Sequence, residues 1–263
     1  IMETLMKHLC NEASTEEIRE YIFFAAQNAI RNERSYLNFL SELKENGGYA
    51  IFINYLDANL GEKITCSILI SIKTIIRRNP GEAELLISNN FLEHLLNPFH
   101  SDDVNICVNA IQLFIEFVKA DSEDALPVIL QSPIPEELYL LTEVSTHLIK
   151  IAAFSALYQI VYRFDHDQTI EFIQKCPEIL ERAFVMLGSE LDDDEFEVLV
   201  SLAIKFVETL QIDNTEALEA IIMNADIIPT LDTVLDQSED RMRVHSSAFR
   251  LRNILCPNEE DFS

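Results

Sequence analysis

Few side chains in this sequence have the types and spacing that chemistry needs. Its six histidines, His8, His94, His100, His147, His166 and His245, are scattered. None stands four residues from another, the spacing that puts two metal ligands on one helix face. The densest local constellation is Asp165-His166-Asp167. Three such groups could ligate a metal, but consecutive residues rarely converge on one ion. The triplet reads instead as a solvated turn, with Asp167 capping a helix that starts at Thr169. Asp192-Asp193-Asp194-Glu195 has the charge for calcium but lacks the ligand alternation and the Gly of an EF-hand loop, so it reads as the acidic start of a helix. A phosphate-cradling Gly-rich loop, an HExxH and a GxSxG are all absent from the sequence. With no set of groups converging, neither an enzyme activity, nor a cofactor, nor a metal is expected.

Charge narrows the partners. The chain carries 19 Lys and Arg against 45 Asp and Glu, a net charge of −26. Such a surface repels DNA, RNA and anionic lipid, whose binding depends on neutralising phosphates, so no nucleic-acid ligand is expected. The simplest role of the charge is solubility. The five cysteines, Cys10, Cys66, Cys107, Cys176 and Cys256, are odd in number and never spaced as C-x-x-C. They suggest neither a disulfide framework nor a zinc site, and they fit an intracellular, cytoplasmic setting, with the nucleus as a second location. No apolar run reaches the roughly 18 residues that mark a membrane span. The opening IMETLMKHLC lacks the features of a signal peptide, and because it begins with Ile, the natural N-terminus is expected to lie upstream.

The elements that must position any site follow from a recurring phrase: an apolar stub, a polar or proline break, and a new apolar helix start. It reads LISNNFLEHLL at Leu86–Leu96, VILQSPIPEELYLL at Val128–Leu141, FIQKCPEILERAF at Phe172–Phe184 and AIIMNADIIPTL at Ala220–Leu231, with a degenerate copy at Phe39–Ile53. Copies recur roughly every 40 to 50 residues, the period of stacked units of two or three helices. The 48% hydrophobic fraction and 16 Phe supply a core, while only 5 Gly and 8 Pro argue against a turn-rich β fold. Glu16–Asn32 follows a capping box at Ser14-Thr15-Glu16-Glu17, and Arg34–Lys44 is stopped by Asn46-Gly47-Gly48. Asn79 is expected to cap a short helix that has Pro80 at its first position. Long helices are expected at Glu62–Arg78, Asp103–Ala120, Glu143–Phe164, Asp193–Leu210 and Glu239–Leu255. Each is apolar on more than one stripe and therefore buried between neighbours.

Short helix, medium helix and long helix, joined by breaks such as Asn89-Asn90 or Ser132-Pro133, resemble the armadillo repeat. His245–Leu255, HSSAFRLRNIL, is similar to that family's third helix through Ala248, Leu251, Asn253 and Leu255. Family glycines at the break are replaced by Asn90, Pro133, Pro177 and Ala225. The resemblance implies an all-α, right-handed α-solenoid of about five to six armadillo-like repeats. Two-helix HEAT repeats are the alternative, and the extra short helices at Glu82–Ile87, Asp124–Leu130 and Thr169–Lys175 weigh against them. Residues 1–48 form N-terminal helices of a degenerate or capping repeat, 49–256 the repeat array and 257–263 an acidic tail.

In armadillo proteins the third helices line a concave groove. Here the long helices carry Lys63, Lys73, Arg77, Arg78, Lys119, Lys150, Arg163, Lys205, Arg241, Arg243, Arg250 and Arg252. The resemblance therefore implies a protein-binding scaffold that grips an extended partner peptide, acidic or phosphorylated, in that groove. Lys73, Arg77, Gln112, Gln159, Arg163, Lys205, Arg250 and Asn253 lie at groove-facing spacing. A simpler role for these cations is to complement helix C-termini. The importin type of groove uses repeated Trp–Asn pairs, but this chain has no Trp. Other readings are an exchange co-chaperone for DnaK-type ATPases and a regulatory or structural subunit of a larger complex.

Overall fold

The computed structural model describes residues 15–58, 60–120, 125–144 and 146–256. These residues form helices and no strand, and they fall into two compact units, Ile1–Glu137 and Leu138–Ser263.

The first unit contains α1 (Glu16–Arg31), α2 (Glu33–Glu45), α3 (Gly48–Asp57) and α4 (Glu62–Arg78). A 3-10 turn at Pro80–Glu82 then leads into α5 (Ala83–Ile87), α6 (Phe91–Phe99), α7 (Val104–Lys119) and α8 (Ala125–Gln131). Long helices pack side by side, α1 on α4 and α4 on α7, while α3 packs on α6 behind them. The two-stripe pattern dictates this. On α4, Ile64, Ile68, Leu69, Ile72, Ile75 and Ile76 are all buried, on faces too broad for one neighbour. Phe23, Phe52, Phe91 and Phe117 fill the space between layers, with Phe23–Phe52 and Phe91–Phe117 in ring contact.

α9 (Ile134–Leu141) begins in the first unit and ends in the second. The second unit continues with α10 (His147–Val161), α11 (His166–Lys175), α12 (Ile179–Leu187), α13 (Asp193–Asp213), α14 (Thr215–Asn224), α15 (Ile227–Gln237) and α16 (Met242–Leu255). Here α10 packs on α13 and α13 on α16, with α12 and α15 as the second layer. Each three-helix unit recurs: α2–α3–α4, α5–α6–α7, α11–α12–α13 and α14–α15–α16.

Several local expectations need correction. The helix expected at Glu143–Phe164 runs only from His147 to Val161. Glu143 lies in a turn after α9, and Arg163 lies in the turn after α10. Asp165, not Asp167, caps α11, because its carboxylate accepts from Gln168 N while the Gln168 side chain accepts from Asp165 N, a reciprocal box. Thr15 caps α1 through Ile18 N, which leaves Glu17 one residue short of the box position; Ser14 lies outside the described residues. Asn79 makes no capping bond to the 3-10 turn and instead donates to the Glu82 carboxylate at 2.7 Å. The helix expected from Glu239 starts at Met242, leaving Arg241 at the cap position. The residue before each medium helix is Gly47, Asn90, Pro133, Glu178 or Asp226, so the break positions fall one residue later than Pro177 and Ala225. Gly47, Asn90 and Asp226 adopt left-handed backbone there. The acidic start at Asp192–Glu195 does form a capping box.

Candidate functional site

Each unit presents one face of its long helices to solvent. In the first unit that face is built from α4 and α7. Its exposed or half-buried positions are Glu62, Cys66, Lys73 and Arg77 on α4, and Asn105, Asn109, Gln112 and Glu116 on α7. Side chains bridge the two helices along its length. Asn105 Nδ2 donates to Glu62 Oε1 at 2.8 Å, Asn109 Nδ2 approaches Cys66 Sγ at 3.9 Å, and Lys73 Nζ donates to Gln112 Oε1 at 2.8 Å. Asn105 and Asn109 were not singled out from sequence. Their four-residue spacing on a long helix, continued by Gln112, was the signal that could have found them. The Asn109 amide also donates to Asn105 O at 2.8 Å, which fixes its rotamer. Burial lowers the Lys73 pKa and the neighbouring Arg77 charge adds to the effect, while Glu116 opposes it. Arg77 is exposed and makes no ion pair among the described residues.

In the second unit the face is built from α10, α13 and α16. Gln159 is half-buried on α10, Arg250 is exposed on α16, and Asn253 is half-buried one residue past Arg252. Lys205 Nζ donates to the Phe164 carbonyl oxygen at 3.2 Å, satisfying a carbonyl just beyond α10. Tyr158 and Tyr162 pair their rings at 5.7 Å, and Tyr162 is largely exposed. Burial raises the Tyr158 pKa, with the Tyr162 hydroxyl adding to it and a bond from Ser201 opposing it.

Of the groove residues expected from sequence, the structure joins Lys73 to Gln112 directly and leaves the others apart or engaged elsewhere. Several cations on the long helices are ties between units of the repeat. Arg78 donates to the Ile30 carbonyl oxygen at 2.5 Å and the Arg31 carbonyl oxygen at 3.0 Å, closing the end of α1, and stacks over the Tyr36 ring. Lys63 pairs with Glu20, Arg241 with Asp193, and Arg243 with Asp194 and Glu197, while Arg252 pairs with Asp232 inside the last unit. Arg182 was missed altogether. It lies over the Tyr139 ring and bonds Tyr139 O, Thr142 Oγ1, Glu143 and Glu178.

No catalytic arrangement is assembled by these contacts. Ser238 Oγ and His245 Nδ1 approach only to 3.5 Å, and Ser238 is buried. That serine borders a cleft of about 670 Å³ between the α12–α13 loop and α15, where Arg241 is already committed to Asp193 and the Leu191 carbonyl. Asp165, His166 and Asp167 do not converge, since Asp165 caps α11 and His166 Nε2 pairs with Asp213 at 2.6 Å. Among the described residues no group of three His, Cys, Asp or Glu is placed to hold a metal ion, and no helix is long and apolar enough to cross a membrane.

No family model and no curated protein sequence matches the chain. Solved structures do match. A designed armadillo repeat protein is 16% identical, and the match covers 97% of this chain and 100% of that one at a TM-score of 0.70. Another, in complex with the peptide (KR)4, is 14% identical over 96% of this chain and 99% of that one, with a TM-score of 0.69. UNC-45 from Drosophila melanogaster is 14% identical over 97% of this chain and 31% of its own length, with a TM-score of 0.68. At such identities the likeness is one of fold. The chain has the armadillo-repeat solenoid fold, with three helices per unit rather than the two of HEAT repeats.

Proposed function

We propose that the chain is a non-enzymatic interaction scaffold that holds an extended segment of a partner protein against its long-helix faces. The observation that carries this reading is the row Asn105–Asn109–Gln112 along α7, with Asn105 and Gln112 bonded to α4 and Asn109 held by the Asn105 carbonyl oxygen. Carboxamides in a row offer both a donor and an acceptor to a peptide backbone, whatever its sequence. The amide oxygens of Asn105 and Asn109 accept no hydrogen bond among the described residues, so they remain available.

Ligand charge would be read by Arg77 in the first unit and Arg250 in the second, both without an ion pair among the described residues. With Lys73 beside Arg77, they favour an acidic or phosphorylated segment. Gln159, Arg163, Lys205 and Asn253 complete the proposed contact set. Cys66, Cys107, Cys176 and Cys256 form no disulfide among the described residues, which suits an intracellular partner.

The test is selection of binders from a displayed random-peptide library, followed by binding measurements on variants. Asn109→Ala with Gln112→Ala should weaken selected peptides by about tenfold, from loss of one or two backbone hydrogen bonds. Charge reversal of Arg77, Arg163 and Arg250 to Glu should shift selection away from acidic peptides while the helical circular dichroism is unchanged. Binders indifferent to all five substitutions would place the ligand off the long-helix faces and end the proposal.

A further inference from the structure

The last repeat leaves a second surface, distinct from the long-helix faces. Ser201-Leu202-Ala203-Ile204-Lys205 of α13 lines up with Ser246-Ser247-Ala248-Phe249-Arg250 of α16, so equivalent positions can be compared within the unit. On α13 the stripe Val200, Ile204 and Val207 is buried. On α16 the equivalent residues are His245, Phe249 and Arg252, and Phe249 is 43% exposed. Met242, one turn N-terminal on the same stripe, is 83% exposed. The Arg252–Asp232 ion pair fixes α15 beside this stripe. Ile228 and Leu235 flank Asp232 at four- and three-residue spacing, and both are only half-buried. Four apolar side chains thus share one outward face, where a single exposed residue would need no explanation.

The charge around this face selects its occupant. Asp236, Glu239 and Asp240 are exposed and carry no ion pair among the described residues. Asp232 and Arg252 cancel each other, and the exposed Arg250 beside Phe249 offsets only one of the three acids. A second copy of the chain would bring the same acids against these, or the glutamates Glu16, Glu17 and Glu20 that surround exposed Tyr21 and Phe24 on α1. Either pairing sets like charge on like charge. A helix with an apolar stripe and flanking Lys or Arg instead meets both the apolar stripe and its acidic surroundings. We propose that the α15–α16 face docks a basic amphipathic helix of a partner protein.

The experiment uses two fluorescent synthetic helical peptides of equal hydrophobicity, one of Leu and Lys and one of Leu and Glu, titrated into the full chain. The Leu/Lys peptide should bind and the Leu/Glu peptide should not. Phe249→Ser with Met242→Ser should weaken the Leu/Lys peptide about tenfold, since both side chains lose their burial in the complex. Asp236→Lys with Asp240→Lys should weaken it as well, with steeper loss at low salt. Asn109→Ala on the long-helix face should leave it unchanged, which separates this site from the proposed groove. Three results would each overturn the proposal: equal binding of the two peptides, undiminished binding by the Phe249/Met242 variant, or sedimentation showing a self-association that this variant abolishes. Retained helical circular dichroism confirms that each variant has folded.

Discussion

Lys73 Nζ donates to Gln112 Oε1 at 2.8 Å, a bond that crosses from one long helix to the next rather than running along either. The ammonium is half-buried to make it, and burial lowers its pKa below the ordinary lysine value. A ligand carboxylate that reaches Lys73 must therefore compete with a neutral amide, and it would restore to the ammonium a charged partner that burial has denied it.

That depressed pKa has a defined consequence for stability. The unfolded chain binds the Lys73 proton up to a pH of about 10.4, while the folded chain releases it earlier. Stability should therefore rise with pH across the interval between the two values, and be flat below it. Lys73→Met should lose that rise and should be no less stable than the parent at pH 8. Urea midpoints at pH 8 and pH 10 measure it, and an undiminished rise in the variant would assign it to another group.

The buried Glu82 makes a sharper case. It accepts from Tyr49 Oη at 2.8 Å and Asn79 Nδ2 at 2.7 Å, and it pairs with Lys44 Nζ at 2.7 Å. Lys44→Met would leave a buried carboxylate with neutral donors alone. The expected cost is about 1–3 kcal/mol, below the usual figure for a broken buried pair because Lys44 is partly exposed. Glu82→Gln in the same chain should recover part of it. Burial, and then the bond to Glu82, push the Tyr49 pKa strongly upward. The folded chain keeps that proton when the unfolded one loses it near pH ~10, so this contribution vanishes as pH rises past that point. Tyr49→Phe should flatten the alkaline fall in the thermal midpoint.

Much of this architecture was legible because burial leaves a period in the sequence. Ile68, Leu69, Ile72, Ile75 and Ile76 announce a helix with two buried stripes, and α4 is that helix. Contacts between residues some forty positions apart leave no such trace. Nothing local to Lys205 or Arg78 says that each will satisfy a carbonyl at the C-terminal end of the preceding long helix or just beyond it. The spacing of Lys205 suggested a ligand-facing role, whereas both side chains are engaged in holding the stack. Arg182 was invisible for the same reason, since its partners Tyr139, Thr142 and Glu143 lie in the preceding repeat. The start of α10 was misread because Glu143 resembles a helix start, while the chain turns through residues 142–144 before α10.

The last repeat is held differently from the others. Within α14, α15 and α16 the buried residues are few: Leu218 on the first, Ile227 and Leu231 on the second, and Val244, Ala248 and Leu251 on the third. Charge supplies the remaining hold, with Arg241 on Asp193 and Arg243 on Asp194 and Glu197 at the acidic N-terminus of α13. These pairs are exposed and hence screened by salt. In hydrogen exchange, Arg241→Ala with Arg243→Ala should strip protection from α16 before α13, and about 1 M salt should do the same to the parent. Simultaneous loss across α13 and α16 would show that the last repeat is no separate cooperative unit.

The breaks before the medium helices give the last test. Gly47, Asn90 and Asp226 occupy the same place in their repeats, with φ of 66°, 54° and 49°. A side chain at Gly47 would meet nothing within 4 Å, so any cost of adding one is the cost of the backbone conformation alone. Gly47→Ala should therefore lower stability by about 1–2 kcal/mol, the penalty for a left-handed L-residue. Gly47→Asn should recover most of that, because Asn adopts the left-handed conformation at lower cost than Ala, as Asn90 does in its repeat. Asp226→Gly should be neutral to stabilising by a few tenths of a kcal/mol, since relief of backbone strain is partly offset by the greater freedom of glycine in the unfolded chain. Urea midpoints measure all three. If Gly47→Ala were as stable as the parent, the left-handed backbone at this break would carry no penalty for a side chain.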